Sequence, residues 1–163
     1  MVEESKTVLI LKDIREKSVS VTDYISSLEE PFHGKFLARK QTYKLNEKAI
    51  HQLRAFAANF VLIVFSAAWC KDCAVNVPVL ALINEATGLE VRVFGGLKKD
   101  PLGQGHKWRI PPSPPEAETF NVDKIPLIII VDKDGRDVGR IVENPTECPT
   151  LEEELCEIVR AHR

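Results

Sequence analysis

The chain has 163 residues, 44% of them hydrophobic and 28% charged, and a formal charge of −2 at pH 7. That length is enough for one domain with its own core, and the scattered, nearly balanced charge excludes the basic surface that nucleic acid or an anionic membrane would require. No apolar run approaches the roughly 18 residues of a membrane span. The early apolar stretch Val8–Leu11 is short and followed by charges, unlike a secretory signal, so the expected location is cytoplasmic.

In chain order, residues 1–45 read as an N-terminal, largely helical extension packed on a domain that occupies 46–163. A first helix is expected from about Ser5 to Glu16, although Val8, Leu9, Ile10, Leu11 and Ile14 have no clean period. Thr22 is a candidate N-cap for a second helix, Asp23–Glu30, with Tyr24, Ile25 and Leu28 at helical spacing and Pro31 as its stop. Residues 31–45 read as loop with a short strand at Phe36–Ala38. Asn46 then caps a helix through Ala58 that turns Ile50, Leu53, Phe56 and Ala57 inward.

Phe60–Phe65 is rich in β-branched and aromatic residues without polar alternation, so it reads as a strand buried on both faces and covered by helices. A helix follows from the Cys70–Cys73 segment to about Ala86, bent at Pro78 and ended by Gly88. Leu89–Phe94 is the next strand, closed by Gly95-Gly96. The insertion 98–115 carries Pro111, Pro112, Pro114 and Pro115, which forbid regular helix or central strand and predict an extended loop. Glu116–Asn121 reads as a turn or two of helix. Leu127–Val131 and Asp137–Val142 form an antiparallel pair around the turn Asp132–Gly135. Thr150 and Glu153 make a capping box that opens a last helix to about Ala161, with Leu151, Leu155, Ile158 and Val159 facing the sheet.

The chemistry-bearing motif is Cys70-Lys71-Asp72-Cys73, set where a buried strand ends and a helix begins. Unpaired backbone N–H groups and the positive end of the helix dipole favour a thiolate there, which makes Cys70 the candidate nucleophile. Cys73, one turn on, is close enough to close a disulfide with it. Zinc binding would need further ligands from Cys148, Cys156 or four scattered histidines, which do not form a second Cys-X-X-Cys pair, so no metal is expected. Cys156 fits a buried small hydrophobe, and a Cys148–Cys156 disulfide would need the intervening loop to fold back on the helix. His106 and Trp108 read as solvated loop residues. The sharper alternative is that their loop lies over the Cys70 edge and restricts which proteins dock.

Trp69-Cys70-Lys71-Asp72-Cys73 resembles the Trp-Cys-X-X-Cys motif of thioredoxin-like proteins, with Pro78 where that family has its helix-kinking proline. Lys124-Ile125-Pro126 and the run Leu127–Val131 resemble the family's cis-proline segment and following strand, and Asp132–Gly135 its hairpin turn. The likeness covers roughly 60–97 and 118–160. It implies an α/β chain with the three-layer α/β/α thioredoxin-like fold, a central mixed sheet with the motif strand in its middle, and the N-terminal helical extension as an addition. It further implies that Trp69 flanks the substrate groove, that Pro126 is cis and faces the cysteines, and that Ile125 offers backbone groups to an extended substrate.

The function implied is thiol–disulfide exchange in cell redox homeostasis. Disulfide-containing proteins would be the substrates, and an external thiol reductant or reductase the electron source, with no bound cofactor. The alternative is a redox-sensing or redox-inactive binding module using the same groove. One departure stands out: the family's buried aspartate falls at Val64 and its lysine partner near Phe94 or Gly95. Cys73 would then lose its proton through water or a neighbouring group, giving a slower or differently tuned reductant.

Overall fold

The computed structural model describes residues 10–99, 108 and 112–162. Its centre is a five-stranded sheet in the order β1-β3-β2-β4-β5, formed by β1 (Val19–Ser20), β2 (Phe60–Phe65), β3 (Glu90–Phe94), β4 (Leu127–Asp132) and β5 (Asp137–Val142). β2 runs parallel to β3 and antiparallel to β4, while β1 and β5 are antiparallel edges, so the sheet is mixed as expected. All six residues of β2 are buried, the behaviour that its unbroken apolar sequence predicts for a strand covered on both faces.

The two covering layers follow from the alternation of side chains along β2. Phe60 points one way, its ring meeting Phe56 at 6.3 Å and His162 at 5.8 Å. Phe65 points the other way, stacking on Phe94 at 5.0 Å and tilting against Phe120 at 5.6 Å. The first face carries α3 (Phe32–Thr42), α4 (Glu47–Arg54), α5 (Lys71–Thr87) and α7 (Leu151–His162), which pack on one another, and the short α2 (Val21–Ser26) joins α3 and α5 there. The second face carries α6 (Glu116–Thr119) and α1 (Leu11–Lys17), linked by a Lys17–Glu116 ion pair at 3.9 Å. This is the three-layer α/β/α arrangement.

The later elements match the sequence reading closely. Asn46 accepts the Ala49 N–H at 2.9 Å as the cap of α4. Gly88 ends α5 in the left-handed conformation at φ 81°. Thr150 Oγ1 accepts the Glu153 N–H at 3.2 Å, the capping bond expected of the pair, and donates to the Glu153 carboxylate at 2.8 Å. In the β4–β5 turn, Asp132 Oδ1 accepts the N–H groups of Asp134 and Arg136, and Gly135 takes φ 86°.

The N-terminal third departs from it. Residues 32–42 are helix α3, not a loop with a strand at Phe36–Ala38. Phe36 is the one α3 residue fully buried, so no apolar stripe marks the helix. Tertiary contacts hold it instead: the Phe36 ring meets Tyr24 edge-on at 6.2 Å, and Arg39 Nε donates to the Val75 carbonyl at 2.9 Å. The second helix starts earlier than expected, capped by Ser20 rather than Thr22, with Ser20 Oγ accepting the Asp23 N–H at 3.1 Å. α4 stops at Arg54, and a 3₁₀ turn at Ala57–Asn59 leads into β2. The first helix begins at Leu11; the part expected over 5–9 lies outside the described residues.

Two contacts tie this third of the chain to the rest. β1 pairs with β3 through Val19 and Val93, so the extension supplies a strand of the sheet itself. Glu152 of α7, fully buried, accepts from Tyr43 Oη at 2.8 Å and from the Asn46 N–H at 2.7 Å. A buried carboxylate is tolerated only with such partners.

Candidate active site

Strand register assembles the site at one edge of the sheet. Phe65 of β2 pairs with Leu127 of β4 and with Phe94 of β3. The chain beyond Phe65, carrying Ser66 to Cys73, therefore emerges beside Ile125-Pro126 on one side and Gly95-Gly96-Leu97 on the other. The Ile125–Pro126 peptide bond is cis, as expected.

Cys70 is the N-cap of α5, and its sulfur accepts the Cys73 N–H at 3.2 Å, the place a serine or aspartate oxygen takes in an ordinary cap. As a thiol, it donates to the Ile125 carbonyl at 3.6 Å. Cys73 lies beneath it. Cys70 is 7% exposed and Cys73 0%, so of the two residues only the first has any surface. The two acidities diverge accordingly. Hydrogen bonding from the Cys73 thiol lowers the pKa of Cys70 below the ordinary thiol value, helped by the backbone N–H groups of Cys73 and Asp72 and opposed by burial. Burial pushes Cys73 strongly up, and the neighbouring Cys70 pushes it further, while Ser66 hydrogen bonding works the other way. A dithiol so arranged presents one nucleophile and stores one proton.

Trp69 is half exposed, and its Nε1 donates to the Leu97 carbonyl at 3.1 Å. The expectation of a solvated Trp108 is corrected: it is 4% exposed, because its indole stacks on that of Trp69 with ring centroids 6.4 Å apart. His106 lies outside the described residues. Among the described residues all four cysteines are free thiols, so Cys148 and Cys156 are not bridged; Cys156 is buried and donates to the Ala49 carbonyl at 3.1 Å. No three His, Cys, Asp or Glu side chains among the described residues gather into a group that could hold a metal, and no described helix is long and apolar enough to cross a membrane.

Other residues around the cysteines were not singled out from sequence. Asn76 of α5 is buried, and its Nδ2 reaches the Glu143 carbonyl at 2.9 Å and Asn144 Oδ1 at 2.8 Å. The Glu143 N–H in turn donates to the Pro126 carbonyl at 2.8 Å, so one chain of bonds holds the cysteine helix to the cis-proline segment. On the opposite side Tyr24 Oη and Ser66 Oγ share a buried hydrogen bond of 2.9 Å. Ser66 had a visible signal as the first polar residue after the β2 apolar run. Tyr24 was legible only as part of an apolar helix face, which says nothing of where its hydroxyl goes.

The family model described as Thioredoxin matches residues 18–100, just over half of the chain. Among solved structures, a protein of unknown function from Pseudomonas aeruginosa superposes with a TM-score of 0.71 at 15% identity, covering 93% of this chain and 98% of that one. An HIV epitope-scaffold protein gives 0.68 at 14% identity, covering 92% and 97%. At such identities the likeness speaks to the fold. No curated protein matches the sequence. With the family match spanning the edge strand, the motif strand and the Cys70–Cys73 helix, the chain belongs to the thioredoxin family.

Proposed function

We propose that this chain is a thiol–disulfide oxidoreductase that reduces or exchanges disulfides in protein substrates in the cytoplasm, with Cys70 as nucleophile and Cys73 as resolving thiol. The observation that carries this reading is the Cys73 N–H bond to Cys70 Sγ at 3.2 Å, which caps a helix with a sulfur and favours its thiolate. In the first step Cys70 attacks one sulfur of the substrate disulfide. A Cys70–substrate bond forms, and the other substrate sulfur leaves with the electron pair and takes up a proton. Cys73 then attacks Cys70 Sγ, the enzyme disulfide forms, and the second substrate thiolate leaves. The enzyme dithiol has given two electrons, and an external thiol or reductase restores it. Trp69 and the Ile125–Pro126 backbone border the groove in which an extended substrate segment would lie.

A second reading, a redox-sensing binding module, is favoured by one observation, the 7% exposure of Cys70. The test for both is a Cys73→Ser variant incubated with disulfide-bearing proteins, with Cys70→Ser/Cys73→Ser as control. The oxidoreductase reading expects stable mixed disulfides on Cys70 that dithiothreitol releases. A Cys70 that captures nothing leaves the binding module.

A further inference from the structure

Cys73 has to become a thiolate to resolve a mixed disulfide, yet it is fully buried and its acidity is depressed by that burial. The position two residues before Ser66, where a side chain from β2 could have supplied a base, is Val64, fully buried and apolar. What lies next to Cys73 is a pair of hydroxyls. Ser66, also fully buried, is placed to hydrogen-bond the Cys73 sulfur, and its Oγ is 2.9 Å from Tyr24 Oη. Tyr24 in turn belongs to the wall of a cavity of about 840 Å³, open to solvent, that also takes in Phe32, Ala67, Trp69 and Leu97.

The Tyr24 ring occupies space that Gly95 leaves free. A Cβ at that position would sit 2.5 Å from Tyr24 Cε1, so any larger residue displaces the ring. Among the described residues, the titratable groups facing the pair are Cys70 at the cap of α5 and Cys73 within it, with Glu29, Lys98 and Lys99 on the cavity wall beyond Tyr24.

We propose that Ser66 and Tyr24 form a hydroxyl chain that carries the Cys73 proton out to the cavity as Cys73 attacks the mixed disulfide on Cys70. The proposal rests on the oxidoreductase reading above. The Cys73 thiol gives its proton to Ser66 Oγ, Ser66 passes its own to Tyr24 Oη, and Tyr24 releases its own to water in the cavity. The transfer leaves each hydroxyl donating toward the sulfur, which stabilises the thiolate it has created. The lone pair of the Cys73 thiolate then forms the bond to Cys70 Sγ, and the substrate sulfur leaves with the Cys70–substrate bonding pair and takes a proton from solvent. Ser66 is the hydroxyl placed next to the reacting thiol. Tyr24 is a positioning residue that acts through it.

The test is stopped-flow mixing of the full chain, in a Cys148→Ala background, with excess dithiobis(nitrobenzoate). A first release of thionitrobenzoate reads attack by Cys70, and a second reads resolution by Cys73. Tyr24→Phe and Ser66→Ala are expected to leave the first phase unchanged, which also certifies folding, and to slow the second by about 10²-fold with its pH midpoint moved upward. The Tyr24→Phe/Ser66→Ala double variant is expected to be no slower than the slower single, because the two act in series. Gly95→Ala, which keeps both hydroxyls and displaces the ring, is expected to behave like Tyr24→Phe and stands in if a polar variant does not fold. A second phase whose rate and pH midpoint stay within about twofold of the parent in all of these overturns the relay while leaving the oxidoreductase reading intact. A parent chain with no second release overturns both.

Discussion

Two sulfurs a helical turn apart carry opposite acidities because they occupy opposite ends of one local field. Cys70 receives hydrogen bonds at the start of α5, and Cys73 is buried beneath it. The expected outcome is that alkylation of Cys70 by iodoacetamide, followed against pH by mass spectrometry, has a midpoint below the ~8.5 of an ordinary thiol, while Cys73 stays unlabelled through neutral pH. A Cys70 midpoint at or above that value would mean that burial outweighs the helix cap.

At the scale of elements, α5 shows how much a local signal can specify. Its internal Pro78 and its end at Gly88 follow from residues with fixed backbone preferences, and its start from the place of Cys70–Cys73 just after the buried strand. Gly88 has φ 81°, and a Cβ there would meet no atom within 4 Å, so Gly88→Ala costs backbone strain alone. The expected loss is about 1–2 kcal/mol, read from the urea unfolding midpoint; an unchanged midpoint would contradict the assignment of this cap. β2, β4, the Asp132–Gly135 turn and the Thr150 cap were legible for the same reason: periodicity, turn chemistry and capping act within a few residues. α3 was not, because its helix is held by Phe36 against Tyr24 and by Arg39 against Val75, partners remote in sequence. The site divides along the same line. Cys70 and Cys73 were legible from spacing, and Trp69, Ile125 and Pro126 from family resemblance. The Tyr24–Ser66 bond and the Asn76–Glu143–Pro126 links join residues that only the sheet brings together.

For the molecule as a whole, the buried thiols and hydroxyl set an alkaline limit on stability. Burial raises Cys73 and Tyr24 above their ordinary values and pushes Cys156 up to about 11. In the unfolded chain the thiols ionise near ~8.5 and the tyrosine near ~10. The folded state thus holds protons that the unfolded state has lost, so this stabilisation is complete below the unfolded values and declines as pH rises through them toward the folded ones. Cys70 opposes the trend: its lowered value contributes stability above the unfolded thiol range, lost as pH falls through the folded value. Tyr43 and Cys148 are raised as well, so with five groups against one the urea midpoint of the reduced protein is expected to fall between about pH 8 and pH 11, and Cys156→Ala to flatten that fall. A midpoint that rises with pH would contradict the burial of these groups.

The central claim, that Cys70 and Cys73 form a working dithiol, is tested most directly by titrating the protein through a series of glutathione redox buffers and counting free thiols at Cys70 and Cys73 by mass spectrometry. The account predicts a reversible two-electron transition between dithiol and Cys70–Cys73 disulfide, with a potential in the range of roughly −270 to −180 mV that thioredoxin and protein disulfide isomerase span. A pair that remains two thiols at the oxidising end of the series, or that never closes on itself, would contradict it.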